Sequence, residues 1–264
     1  MALFTGPRGG LAGTAFVPAQ EMKGHILILT ILLSSPALAQ FNDTINYYAN
    51  YTSTGVINKT NDGSSYILNN NAKFSLAKKH MSFNMNTGWI YGEQLGVQTN
   101  NDVLSTVDAN LYKTFKHFYY WGLGAFEKSY SLKINRRYQG GLGVGYNLLD
   151  RKNAVFIVSD GILYEKSSLT QNDELGRRDY ETFRNSFRIK FRFVFRERVT
   201  LDGFDFLQHS LSEKSDYIIK SNTNLSIKIQ KWLSFTASLT YNKLNLTRSE
   251  NLLFTYGLTF EKYF

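Results

Sequence analysis

Hydrophobic and polar positions alternate with a period of two along most of the chain from residue 41 onward. The clearest stretch is 183–196. Phe183, Phe187, Ile189, Phe191, Phe193 and Phe195 share one parity, and Arg184, Ser186, Arg188, Lys190, Arg192 and Arg196 share the other. A helix would scatter these residues around its circumference. A strand separates them, because successive side chains point to opposite faces. The same separation sets Tyr138, Leu142, Val144, Tyr146 and Leu148 against Gln139, Gly141, Gly143, Gly145 and Asn147. Bounded by polar or glycine-containing turns, such segments predict twelve strands, at about 44–56, 64–78, 81–92, 97–113, 117–130, 136–149, 153–167, 178–196, 199–209, 215–230, 232–245 and 250–264.

The connections alternate in length. Short ones fall near 79–80, 114–116, 150–152, 197–198 and 231, and longer ones near 57–63, 93–96, 131–135, 168–177, 210–214 and 246–249. Short turns on one rim and longer loops on the other are the asymmetry of transmembrane barrels. An open sheet of this size would leave two unpaired edges, and in lipid every backbone polar group must be paired internally. The expected fold class is therefore all-β: a closed, antiparallel, up-and-down transmembrane β-barrel of about twelve strands, with ten as the lower count. An even count puts both termini on the short-turn rim, expected to be periplasmic in a bacterial outer membrane. Trp89, Tyr91, Tyr119, Trp121, Trp232, Tyr241 and Tyr263 fall near predicted strand ends, as interfacial girdles do.

Composition agrees with this picture. The 264 residues suit one domain. The mean hydropathy of -0.28 is too polar for a helical membrane protein, and the longest apolar run, Ile26 to Leu33, is too short to span as a helix. A barrel hides its membrane signal, because only alternate residues meet lipid. No proline follows Pro36, which suits long uninterrupted strands. There is no cysteine, so neither disulfides nor thiolate-bound metals are available.

The first 39 residues read differently. Lys23 is a basic n-region after a second start at Met22, His25 to Leu33 is a short apolar core, and Ala37-Leu-Ala39 is a cleavage pattern. Residues 1–39 are expected to be an upstream extension plus signal peptide, cleaved after Ala39, and residues 40–264 the barrel. The net charge of +9 would otherwise suggest nucleic acid. An exported chain meets no genome, so no nucleic-acid partner is expected.

The last strand carries a specific pattern. Counting back by twos from Phe264 gives Lys262, Phe260, Leu258 and Tyr256. A terminal aromatic after alternating apolar residues resembles the signal by which barrel proteins are recognised for membrane insertion, so Tyr256, Leu258, Phe260 and Phe264 are expected to engage the barrel-assembly machinery. Lys262 departs from the pattern. The run Tyr138-Gln-Gly-Gly-Leu-Gly-Val-Gly-Tyr-Asn-Leu-Leu-Asp150, the stretch Asn185 to Val199, the strand opening Trp232-Leu-Ser-Phe235 and the terminal Phe-Glu-Lys-Tyr-Phe264 resemble the YdiY-like family of putative salt-induced outer-membrane proteins of unknown function. The resemblance covers most of residues 45–264. It implies a barrel, an envelope location and a link to salt or envelope stress, and it brings no catalytic residues.

The candidate chemistry is electrostatic. The basic stripe Arg184, Arg188, Lys190, Arg192 and Arg196 is expected to face the lumen, opposite the Phe and Ile face. It either forms an anion-attracting wall or is neutralised by Asp160, Asp202 and Asp205. A turn at 196–198 would set Arg192 opposite Asp202, and a bulge at Gly203 would bring Asp205 inward. Gly141, Gly143 and Gly145 lack the strand-to-helix context of a nucleotide site and are expected to make room for bulky inward neighbours. No catalytic residue, metal or cofactor is expected: the histidines are dispersed, and His209 and Ser210 point to opposite faces. Two functions remain open. The barrel either conducts small solutes or anions through a basic lumen, or is plugged and meets outer-membrane lipid, lipopolysaccharide or external partners through loops 168–177 and 210–214, with Arg177 and Arg178 toward anionic heads. A barrel hydrolase is a third, weaker idea.

Overall fold

The computed structural model describes residues 47–60, 63–78, 81–115 and 117–263. The expected cleavage after Ala39 and the terminal Phe264 lie outside these residues. Twelve strands run in order: β1 (Tyr47–Thr60), β2 (Gly63–Lys78), β3 (Met81–Gln94), β4 (Val97–Phe115), β5 (Phe118–Ser129), β6 (Ile134–Arg151), β7 (Ala154–Leu169), β8 (Asp179–Phe195), β9 (Val199–Ser210), β10 (Tyr217–Gln230), β11 (Leu233–Leu244) and β12 (Ser249–Tyr263). Each pairs antiparallel with its sequence neighbours, and β12 returns to β1, so the sheet closes into an up-and-down barrel. The seam is the shortest ladder: eight residue pairs join β1 to β12, from Tyr48↔Tyr263 to Gly55↔Tyr256.

One rim carries the first residue of β1, the end of β12 and the strand ends that join β2 to β3, β4 to β5, β6 to β7, β8 to β9 and β10 to β11. This is the terminal rim. The other, the loop rim, carries the strand ends that join β1 to β2 and the connections 95–96, 130–133, 170–178, 211–216 and 245–248. The rim asymmetry predicted from connection lengths holds for four of the six joins on this rim; β1–β2 and β3–β4, expected to be long, are as closely joined as the strands at the opposite rim.

Cross-strand register sorts the side chains into two faces. Exposed apolar residues such as Leu142, Phe183, Phe187, Leu239, Leu252 and Phe254 form the outer face. Soluble proteins do not expose apolar surface continuously around a domain; lipid covers it at no such cost. Tyr256, Leu258 and Phe260 of β12 lie on this face, opposite Gly55, Ser53 and Tyr51 of β1. Several ionisable outer-face residues lie at the loop-rim ends of the strands, among them Glu93, Arg136, Lys166, Glu181 and Glu250.

The inner face is polar. Many of its threonines and serines are hydrogen-bonded across strands, as in Thr54 to Thr255 (2.9 Å) and Thr236 to Thr259 (2.7 Å). Tyr119 and Trp121 depart from the girdle expectation. They stand on the inner face, 6% and 2% exposed. The inward glycines of β6 explain why: a Cβ on Gly143 would lie 2.4 Å from the Trp121 ring, and one on Gly145 would lie 2.2 Å from the Tyr119 ring. Two large rings therefore lie flat against a wall that offers no side chains of its own.

Candidate functional site

The loop-rim half of the lumen is filled by charge. Lys220 of β10 pairs with Glu127 of β5 (2.7 Å), Glu127 with Arg137 of β6 (3.3 Å), and Arg137 with Glu165 of β7 (3.4 Å). Glu165 pairs in turn with Arg184 of β8 (2.8 Å), and Arg184 with Asp216 (2.8 Å). Asp216 meets Arg177 (3.0 Å), which ends the chain on Asp173 (2.8 Å). Four cations and four carboxylates alternate without interruption. Arg137, Glu165 and Arg184 are essentially sealed from solvent. Buried charges persist only when paired and hydrogen-bonded. Here Ser167 and Tyr180 also take Arg137, and Gln139 donates to Glu165.

Some of these contacts cross the lumen. β5 and β10 are five strands apart in the ring, so the Lys220–Glu127 pair spans it. Asn251 of β12 donates to Ser131 beside β5 (3.0 Å), and Gln139 of β6 to Gln208 of β9 (2.9 Å). Above the charges, Leu132, Ile134 and Leu169 pack against Ile218 and Leu244 from the opposite wall. A pocket of about 10 Å³, scarcely the room of one water, lies where Arg137, Tyr180 and Asp216 meet Ile218 and Leu244.

The loops form a lid over this plug. Asp173 accepts from the backbone N–H groups of Leu175 and Arg177 (2.9 Å each). The Glu174 N–H donates to the Leu246 carbonyl, Asn245 donates to the Ser215 carbonyl (2.8 Å), and Arg248 pairs with Glu174. Burial works against the charge of Arg177, but hydrogen bonds to Asp173 and Asp216 outweigh it and hold its pKa above the ordinary guanidinium value. Arg177 is thus engaged within the lid, not turned toward lipid heads as expected, and its guanidinium covers the Tyr180 ring at 4.4 Å.

Below the plug the lumen changes character. Arg188 lies over the Trp121 ring, 3.6 Å from its centroid, and donates to Ser159 (3.2 Å). Nearer the terminal rim, Lys190 and Arg192 are exposed to the lumen, and among the described residues neither forms an ion pair. Lys73 of β2 interacts electrostatically with both. Since β2 and β8 are six strands apart, it faces them across the lumen. This lower half is a polar, cation-rich vestibule.

The structure therefore divides the basic stripe. Arg184 belongs to the plug, and Arg188, Lys190 and Arg192 to the vestibule. Arg196 lies beyond the end of β8, exposed in the turn with φ 48°, and leaves the stripe. Asp202 stands inward, directly opposite Arg192, and accepts from Asn224 (3.3 Å). Asp160 and Asp205 do not face the lumen. Asp160 shares the outer parity of Val158, Ile162 and Tyr164, is exposed, and accepts from Asn185 on the neighbouring strand (2.9 Å). β9 has no bulge at Gly203: its register runs unbroken on both sides, so Asp205 lies outward opposite Ile189 and Ser221. Phe204 and Phe206 point inward instead, Phe206 with its ring 5.8 Å from the Arg188 guanidinium. His209 is outward, stacked on Tyr217, while Ser210 is inward and bonded to Thr182.

The sequence analysis missed Glu127, Arg137, Glu165 and Lys220. Parity was the available signal. Glu165 has the parity of Leu163 and Ser167, opposite to the apolar set Val158, Ile162 and Tyr164.

The fold and its two faces define the class: a closed twelve-stranded antiparallel β-barrel with an apolar exterior and a polar interior. The sequence pattern of the family described as "Protein of unknown function, DUF481" matches residues 54–260. The chain belongs to that family. No curated protein matches it. Among solved structures it is similar to the NanC porin (12% identity, 81% of this chain and 98% of that one, TM-score 0.49) and to the KdgM porin (14%, 81% and 98%, 0.42). It is also similar to the translocator domain of the autotransporter NalP from Neisseria meningitidis (10%, 83% and 89%, 0.42). These are likenesses of barrel architecture alone.

Proposed function

We propose that the protein is an integral outer-membrane β-barrel working as a shut anion pore, with a cation-rich vestibule open at the periplasmic terminal rim and a plug closing the loop rim. The observation that carries this reading is the division of the lumen: an alternating, charge-balanced plug above and exposed, unpaired Lys190 and Arg192 below. Rings of basic side chains favour anions in pores, and the plug forbids passage while Lys220 holds Glu127. Outer-membrane placement is supported by the closed sheet and its apolar exterior, since in lipid only helices and closed barrels satisfy the backbone. Lipid and lipopolysaccharide are then the partners of the outer face. The outward Tyr256, Leu258 and Phe260 on the closing strand suit capture by the barrel-assembly machinery.

The test uses Lys220→Ala combined with Ile218→Ala, which removes the crossing ion pair and part of the apolar cap from one strand. In liposome-swelling assays this variant is expected to admit small anionic solutes faster than cationic solutes of the same size. Equal rates, or no entry from a folded variant, overturn the pore and leave the second reading, a permanently plugged barrel. That reading is favoured by the completeness with which the plug satisfies its buried charges.

A further inference from the structure

We propose that the vestibule is a binding site for a small, multiply charged oxyanion, held between Lys73 on one wall and Lys190 and Arg192 on the other. This deepens the pore reading and rests on it only in requiring the vestibule to be open to water.

β2 and β8 sit half a circumference apart, and their cations point inward toward one another: Lys73 has the parity opposite to the outward Leu68 and Phe74, and Lys190 and Arg192 are exposed on the inner face, Arg192 in register with the inward Asp202. Like charges confined in a narrow, partly desolvated space repel more strongly than in water. Within the same space Asp202 and Asp108 are the nearby carboxylates, and each already accepts an amide: Asp202 from Asn224 (3.3 Å) and Asp108 from Asn84 (2.8 Å). With Arg188 above them, four cations face two carboxylates. The plug, by contrast, matches every cation to a carboxylate, so the excess below it is a local feature and not a general surplus of base.

The arrangement selects charge number. A singly charged ion neutralises one wall and leaves the other. An anion carrying two or more charges over a few ångströms, as a diphosphate does, satisfies both walls together. Arg192 offers a planar fork that matches two oxygens of a tetrahedral oxyanion, while Lys73 and Lys190 act as compact point charges. Cations are excluded by the same field that attracts the anion.

The experiment is calorimetric titration of the detergent-purified protein with inorganic pyrophosphate at constant ionic strength. Saturable binding at one site is expected, weakened roughly tenfold or more by Lys73→Met and by Arg192→Gln. Arg192→Lys, which keeps the charge, should recover part of the loss. Lys228→Gln, placed toward the terminal rim at 4.0 Å from Glu261, should leave affinity unchanged. Absence of binding to the wild type, binding indifferent to Lys73 and Arg192, or equal weakening by Lys228→Gln overturns the site, the last because it reveals a diffuse field. The two claims fail separately. Solute entry through the Lys220→Ala/Ile218→Ala variant without pyrophosphate binding removes the site and keeps the pore. Pyrophosphate binding without solute entry keeps the site and removes the pore.

Discussion

The guanidinium of Arg188 rests 3.6 Å from the centroid of the Trp121 ring, three strands away along the inner wall. The contact is made possible by what lies between. Gly143 and Gly161 present no side chains, and a Cβ on either would fall within 2.5 Å of the indole. Plug and vestibule meet at this pair. A valine at Gly143 would displace the ring into the lumen, where Arg188 now sits. Gly143→Val is therefore expected to destabilise the barrel by about 1–3 kcal/mol, measured by urea unfolding in lipid vesicles. A variant as stable as the wild type would show that the ring has room to move.

The charge chain predicts a sharp asymmetry between its members. Glu165 bonds both Arg137 and Arg184, so Glu165→Leu leaves two buried guanidinium groups short of a counter-ion. A loss of about 3–5 kcal/mol is expected. Lys166, one residue away, pairs with Glu181 on the outer face where both are well exposed. Lys166→Gln is expected to leave stability nearly unchanged. Comparable losses for the two variants would contradict the assignment of faces.

Asp205 gives the opposite sign. It sits on the outer face between Gly203 and Leu207 of one strand, opposite Ile189 of the next. A carboxylate among lipid-facing residues costs stability according to its depth. Asp205→Leu is therefore expected to stabilise the barrel by about 1 kcal/mol in the same vesicle assay. Destabilisation would mean that Asp205 meets a partner other than lipid.

The leader is tested by mass. Intact-mass measurement of protein purified from the envelope is expected to give a chain beginning at Gln40, and a chain retaining residues 22–39 would contradict cleavage after Ala39.

How far the sequence reached follows from what alternation encodes. Period-two parity located twelve strands and their inner and outer faces, because each side chain's face is fixed by its count along the strand. It placed Arg188, Lys190 and Arg192 inward together. Where parity was set aside in favour of charge pairing, it misled. Asp160 shares its parity with Ile162 and Tyr164 and lies outward with them, and the bulge invoked at Gly203 does not exist. Phe204 and Phe206 point inward, opposite Lys190 and Arg188, because the register of β9 runs unbroken through Gly203 and fixes their parity. The crossing pair Lys220–Glu127 was not legible at all. It joins strands 93 residues apart, and only barrel closure and strand tilt bring them together. Trp121 was taken for an interfacial residue because proximity to a strand end was weighed above its inward parity.

The most direct test of the account is single-channel recording in planar bilayers under a salt gradient, comparing wild type with the Lys220→Ala/Ile218→Ala variant. The wild type should be silent for most of the record. The variant should open to steady conductance with a reversal potential showing anion preference, and that preference should fall when Arg192→Glu is added. A wild type that conducts as freely as the variant would contradict the plug, and a cation-preferring variant would contradict the basic vestibule.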